Sequence, residues 1–201
     1  MKTTFYLFRH GLTDWNKQRK LQGRIDIPLN DEGREQAREL RLFIKNLPID
    51  IVYSSHLKRA FETAIIAASS DGREIVEAME LQELDFGDAE GLTMEVALER
   101  FGKDLWNNFS DTKESSLDIS FPNGEKKGVA LQRMRTLISK ICEGPHRHIG
   151  ISTHGGTLRC LLHSYLPEGT SPISISNCTV YKLEIDEKGH IVTGPIFPGF
   201  L

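Results

Sequence analysis

Leu7-Phe8-Arg9-His10-Gly11-Leu12-Thr13 is the stretch on which the fold turns. Four apolar residues, Phe5 to Phe8, run unbroken into a cation, an imidazole and a glycine. A continuous apolar run closed by a turn signal suits a central strand of an α/β sheet, buried on both faces. In such sheets ligands sit outside the carboxyl ends of the strands. Arg9 and His10 stand at that end, and Gly11 frees the backbone to bend close to whatever they hold. An arginine can fork two oxygens of a phosphate, and a neutral imidazole nitrogen can attack phosphorus. Read blandly, the same residues are the polar end of a strand, so the rest of the chain must supply their partners.

Residues 12–27 are polar and irregular and hold Asn16, Gln22 and Gly23. Asn30 is then placed to cap a helix, with Glu32 in its first turn. Ala37, Leu40, Ile44 and Leu47 follow at helical spacing, and Pro48 closes the run. A second strand is expected over residues 49–53. Ser54-Ser55-His56-Leu57-Lys58-Arg59 turns into an alanine-rich helix reaching about Ser69. A short third strand over 75–78 leads into an acidic, glycine-punctuated stretch that contains Glu83.

Residues 94–109 have helical character and 110–124 read as a polar loop, so about 92–127 forms an insertion over one end of the sheet. Leu131, Met134, Ile138 and Ile141 mark the next long helix. A fourth strand over 149–152 ends in Thr153-His154-Gly155-Gly156, the second strand to end in histidine and glycine, and a helix is expected from Thr157 to about Tyr165. Thr179, Tyr181, Leu183 and Ile185 alternate into a hairpin turn at 186–189. The hydrophobic tail from Gly194 to Leu201 is expected to dock on the body or on a second subunit, which would make a homodimer. Alternating strand and helix predict one α/β domain over residues 1–201. Its expected form is a three-layer α/β/α sandwich with a mostly parallel central sheet and the helical insertion above the site.

Bulk properties narrow the field. The chain of 201 residues is 39% hydrophobic and 26% charged, the balance of a folded globular protein. A formal net charge of −3 gives no electrostatic footprint for nucleic acid. Cys142, Cys160 and Cys178 are odd in number, widely spaced and without CxxC pairing, so they read as reduced thiols of a cytoplasmic protein. The apolar run after Met1-Lys2-Thr3-Thr4 is too short for a signal peptide, and no run approaches membrane-spanning length.

In an open sheet Arg9 and His10, Arg59, Glu83 and His154 fall on one rim. His154-Gly155-Gly156 also opens a helix, whose free N–H groups and dipole favour an anion. Two arginines, two histidines and a helix start make a phosphate pocket without a metal. His146 and His148 have no third ligand at suitable spacing and read as turn residues, and His56 and His163 read as structural.

Several motifs now converge. Arg9-His10-Gly11-Leu12-Thr13-Asp14-Trp15-Asn16, Asp26-Ile27-Pro28-Leu29-Asn30-Asp31-Glu32-Gly33 with Gln36-Ala37, and Ser54-Ser55-His56-Leu57-Lys58-Arg59-Ala60 come first. Phe86-Gly87-Asp88-Ala89-Glu90-Gly91, Phe121-Pro122-Asn123-Gly124-Glu125 and Ser152-Thr153-His154-Gly155-Gly156 follow in order. The set resembles the histidine phosphatase superfamily in its phosphoglycerate mutase-like branch, over most of the chain. The resemblance implies His10 as nucleophile, with a backbone carbonyl fixing its tautomer. It implies Arg9, Arg59 and His154 on the phosphoryl oxygens, and Glu83 as proton donor and then base toward water. Asn16 matches a phosphate-touching position; Gln22, Gly23 and Gly155 lie where substrate is met. No cofactor is implied, and the partner is a small phosphorylated substrate rather than nucleic acid or membrane.

Three departures bear on substrate choice: Ala89 where tryptophan is common, Glu62 for the usual glutamine, and Lys126 where serine is frequent. Residues 102–126 carry no arginine, whereas mutase relatives place arginines in the insertion to grip a small sugar acid. The chain therefore looks most like a phosphatase, and among short members most like the α-ribazole-5′-phosphate phosphatases of cobalamin assembly. Broad sugar-phosphate phosphatases, a phosphoglycerate mutase and a catalytically silent phosphate-binding relative remain alternatives.

Overall fold

A computed structural model describes residues 1–68, 72–111 and 113–200; Ser69 and Leu201, where the sequence reading ends a helix and the tail, lie outside them. Six strands form one sheet: β1 (Thr3–Arg9), β2 (Ile51–Ser54), β3 (Glu74–Glu77), β4 (His148–Thr153), β5 (Val180–Asp186) and β6 (Gly189–Phe197). Their spatial order is β3-β2-β4-β1-β5-β6. The first four run parallel, while β5 is antiparallel to β1 and β6 to β5. The register sets Arg9 beside Thr153, Ser152 beside Ser54 and Ser54 beside Glu77, so four carboxyl ends share one rim.

Alternation along β1 builds both outer layers. Phe5 and Leu7 face α6 (Lys127–Glu143) and α7 (Gly155–His163), meeting Met134, Ile138, Leu158 and Leu161. Tyr6 and Phe8 face α2 (Asp31–Ile44) and α3 (Lys58–Ala68), meeting Leu40, Ile44, Ala64 and Ala67. Phe5, Leu7 and Phe8 are wholly buried. Each contributes roughly 2–3 kcal/mol of transfer free energy, and truncating Phe8 to alanine costs about 3–5 kcal/mol with the cavity included. This is the three-layer sandwich with a mostly parallel sheet.

The local signals hold with small shifts of boundary. Asn30 caps α2, accepting from Gly33 N. Residues 12–27 are not wholly irregular: α1 (Asp14–Lys17) closes on a reciprocal capping box between Thr13 and Asn16. The helical stretch in the insertion is two helices, α4 (Met94–Phe101) and α5 (Lys103–Ser110), parted at Gly102 with φ +85°. Phe101, Leu105, Trp106 and Phe109 pack there with buried Leu84, Phe86, Ala89 and Phe121 in a third cluster.

The tail is partly strand, because β6 runs to Phe197, and Phe197 and Phe200 pack on the α2–α3 side of the sheet. Its described residues therefore dock on the body. Gly11 does approach another backbone closely, but that of α2: a Cβ on it would lie 2.4 Å from Gly33 O.

Candidate active site

β1 delivers His10 to the rim, where its ring is 2% exposed. Nδ1 lies 2.7 Å from Gly11 O, and a carbonyl only accepts, so Nδ1 carries the proton. Nε2 is left as the unprotonated nitrogen with its lone pair free. Burial holds the His10 pKa well below the usual imidazole value, and the Arg59 and Arg9 guanidinium groups push it the same way. The ring is therefore neutral at neutral pH. Asn177 Nδ2 donates to His10 O at 3.0 Å and anchors the strand end from the start of β5.

Arg59 opens α3 and is wholly buried. Nη2 donates to Gly23 O at 2.7 Å, Nη1 to Ile25 O at 2.9 Å, and Nε to His154 Nδ1 at 3.2 Å. Burial pushes its pKa down to about 10, which leaves it charged at neutral pH. His154 must then donate from Nε2, and Ser55 Oγ receives that proton at 2.8 Å. Both nitrogens of His154 are thus engaged, and its ring lies 5.2 Å from that of His10, tilted by 59°. A phosphoryl oxygen would have to displace one of these partners to reach it. The Arg9 guanidinium donates from Nη1 to Ile175 O at 2.7 Å, and its buried Nε has no hydrogen-bond partner among the described residues.

The start of α7 differs from the sequence reading. The helix begins at Gly155, two residues early, with His154 as a cap whose side chain does not cap it. The acidic group at this helix start is the protein's own Glu83. Glu83 Oε1 accepts from Thr157 N at 2.7 Å, Thr157 Oγ1 at 2.8 Å and Leu84 N at 2.9 Å, while Oε2 accepts from Gly156 N at 3.0 Å. Two of the first-turn amides, Gly156 N and Thr157 N, hold this carboxyl group, and Gly155 lines the cavity. Oε2, with one bond, is the oxygen left with capacity for a proton.

A cavity of about 560 Å³ is lined by every catalytic or substrate-binding residue expected from sequence except His154, which is wholly buried beside His10. Asn16 and Gln22 share the Thr13 hydroxyl, each at 3.1 Å. Gly23 has φ +52°, and a Cβ there would lie 1.8 Å from Glu90 Oε1, so glycine is required for its carbonyl to meet Arg59. Phe86, Trp106 and Phe109 give the cavity an aromatic wall. Ala89 is buried in the cluster behind that wall rather than lining it. Among the described residues no group of three or more His, Cys, Asp or Glu is placed to hold a metal.

Sequence reasoning missed the side chains that hold these groups. Thr63 Oγ1 accepts from Gly11 N at 3.0 Å and donates to Arg59 O at 2.6 Å, and Thr157 serves Glu83 as above. Lys127, 3% exposed, places Nζ 2.8 Å from Phe109 O, 2.6 Å from Asp111 O and 2.7 Å from Ser116 Oγ, tying the insertion down. Thr63 carried a weak signal, lying one helical turn after Arg59 on the same face.

A sequence profile of the histidine phosphatase superfamily (branch 1) matches residues 5–194. The "Uncharacterized phosphatase PhoE" of Bacillus subtilis (strain 168) is 35% identical over 161 residues, 80% of this chain and 76% of that one. The "2,3-bisphosphoglycerate-dependent phosphoglycerate mutase" of Parvibaculum lavamentivorans is 31% identical across 96% of this chain and 95% of its own. The solved alpha-ribazole phosphatase from Shigella flexneri superposes with a TM-score of 0.78 at 25% identity, covering 95% of each chain. No helix among the described residues is long and apolar enough to cross a membrane.

Proposed function

The chain belongs to the histidine phosphatase superfamily, a family of phosphatases and mutases, and we propose that it hydrolyses a small phosphate monoester through a phosphohistidine on His10. The observation that carries this reading is the His10 ring: neutral, its tautomer fixed by Gly11 O, with Nε2 free beside two arginines. Nε2 attacks phosphorus and the P–O bond to the alcohol breaks. Arg9 and Arg59 offset the charge spread over the phosphoryl oxygens, the work a metal would otherwise do. Glu83 gives its proton to the leaving oxygen. Once the alcohol departs, the Glu83 carboxylate takes a proton from water, water oxygen attacks phosphorus, and the P–N electron pair returns to Nε2. His154 orients Arg59 and backs the nucleophile. Asn16, Gln22, Gly23 and Gly155 frame the phosphate end of the cavity.

Our first candidate ester is α-ribazole 5′-phosphate, with broad sugar-phosphate hydrolysis as the wider form of the same reading. The likeness to the Shigella alpha-ribazole phosphatase supports it, as does the wall of Phe86, Trp106 and Phe109, against which a flat aromatic base can pack. A phosphoglycerate mutase is the second reading, favoured by the Parvibaculum relative. The absence of arginine from residues 102–126 weighs against it.

The test is phosphate release, with a chelator present, by the wild type and His10→Ala. The panel holds α-ribazole 5′-phosphate, sugar phosphates, 3-phosphoglycerate and a phosphotyrosine peptide. Release that survives the chelator and vanishes in the variant supports the hydrolase, and the preferred ester identifies the substrate. Interconversion of phosphoglycerates without release shifts the reading to a mutase, and silence on both leaves a binding protein.

A further inference from the structure

Glu83 lies in neither helix nor strand, between the short turn Met79–Leu81 and the loop at Phe86. Its carboxylate is fixed by α7, but a carboxylate is placed only as well as its main chain. Thr153 and Thr157 hold the main chain just before it, at Leu81 O and Gln82 O, and among the described residues Arg133 of α6 is the side chain that reaches the Glu83 carbonyl itself. Arg133 Nη2 donates to Glu83 O at 3.3 Å and Nη1 donates to Glu80 O. The same guanidinium forks Glu125, Nε to Oε1 at 3.1 Å and Nη2 to Oε2 at 3.0 Å, with the two side chains 14% and 8% exposed.

Glu125 reaches further. Its Oε1 is 3.1 Å from Arg24 Nη2, and its main-chain N donates to Asp85 O at 2.9 Å. Arg24 follows Gly23, whose carbonyl holds Arg59. One carboxylate, in a motif with no part in the chemistry so far, therefore joins the loop bearing Glu83 to the loop anchoring the buried arginine.

We propose that Arg133, locked in orientation by Glu125, is a positioning residue for Glu83 in proton transfer to the leaving group. The proposal rests on the reading of Glu83 as proton donor. Two main-chain carbonyls and a bidentate carboxylate use the planar fork of a guanidinium, and a lysine ammonium cannot span them. Arg133 touches neither substrate nor reacting atoms; it acts by where it puts Glu83.

Leaving-group dependence tests this. An alkyl phosphate needs a proton on its departing oxygen, whereas p-nitrophenyl phosphate expels a stable anion and needs little help. We would measure kcat/KM, which reports the first transfer, for both esters with wild type, Arg133→Lys, Glu125→Gln and Glu83→Gln. The expected loss in Arg133→Lys and Glu125→Gln is on the order of 100-fold for the alkyl ester and under about 10-fold for the aryl ester. Glu83→Gln should show the same split, only deeper.

Equal losses on both esters in the Arg133 and Glu125 variants, with Glu83→Gln still split, overturn the positioning role and leave a purely structural clamp. Equal losses in Glu83→Gln itself sink the proton-donor reading, and the proposal with it. Should Arg133→Lys fail to fold, Glu125→Gln, which keeps its size and one acceptor oxygen, carries the test.

Discussion

Arg59 Nε donates to His154 Nδ1 at 3.2 Å, which commits the imidazole to donating from Nε2 toward Ser55 Oγ. The buried guanidinium is aimed by three acceptors from two distant segments: the Gly23 and Ile25 carbonyls of one loop and this ring. Its geometry belongs to the fold rather than to a bound ligand.

Arg59→Lys should therefore fail although charge is kept. One ammonium cannot replace three divergent N–H bonds. The expected outcome is a drop in kcat/KM of about 100-fold or more and a stability loss of about 3 kcal/mol. Phosphate release and urea unfolding check it, and a near-normal rate would remove Arg59 from the phosphate site.

Stability should fall on mild acidification. Burial, then Arg59, holds both His10 and His154 well below the usual imidazole value in the folded chain. The unfolded chain takes up protons near pH 6.5 while the folded chain does not. Their contribution is whole above about pH 6.5 and is lost as pH falls toward the folded values, at up to about 2.7 kcal/mol per pH unit for two groups. Protonating His154 would also set an N–H against Arg59 Nε–H. Urea unfolding at a series of pH values from 7.5 to 5 measures the slope, which His10→Asn should roughly halve. For activity the same shift puts the protonation of the nucleophile below pH 6.5.

Thr157→Val keeps size and the backbone N–H but deletes the hydroxyl that donates to Glu83 Oε1 and lies 2.9 Å from Gln82 O. We expect a stability loss of about 1 kcal/mol and a fall in kcat/KM of about 10-fold on alkyl esters. Unchanged kinetics would mean that the backbone amides alone hold Glu83.

Lys127→Met tests the insertion's anchor. Burial lowers the Lys127 pKa, and removing the ammonium takes a donor from Asn108 O and Phe109 O at the end of α5. The expected result is a loss of about 2 kcal/mol, from unsatisfied buried acceptors. KM for the ester should rise as the wall carrying Trp106 and Phe109 loosens. A stable variant with normal KM would show that the third apolar cluster holds the insertion by itself.

The parts legible in sequence are those whose signals are local. Phe5 to Phe8 carries its own burial, Asn30 its own cap, and the two strands that end in His-Gly announce the rim. What escaped depends on partners far along the chain. Arg133 and Lys127 carry no local signal of a role, and only the fold brings Glu83 and the insertion to them. Lys126 stands at the cap of α6 without a capping bond and pairs with Asp118 instead. That Glu83 takes the Gly156 and Thr157 amides at the start of α7 has no local signal, because the two segments are more than 70 residues apart. The hairpin into β6 is legible from the turn at 186–189, but the reach of that edge strand to Phe197 is masked by Gly194 and Pro195, which read as a break.

Both neighbours of β1 are distant in sequence: β4 ends at Thr153 and β5 begins at Val180, and Asn177 ties off His10 O. On the ribosome β1 therefore waits for both of its partners. A nascent chain stopped before residue 148 exposes a seven-residue strand with an apolar centre, Phe5 to Phe8, and two open edges, the kind of segment that aggregates or recruits a chaperone. The nucleophile's strand gains its last neighbour only when β5, beginning at Val180, has emerged.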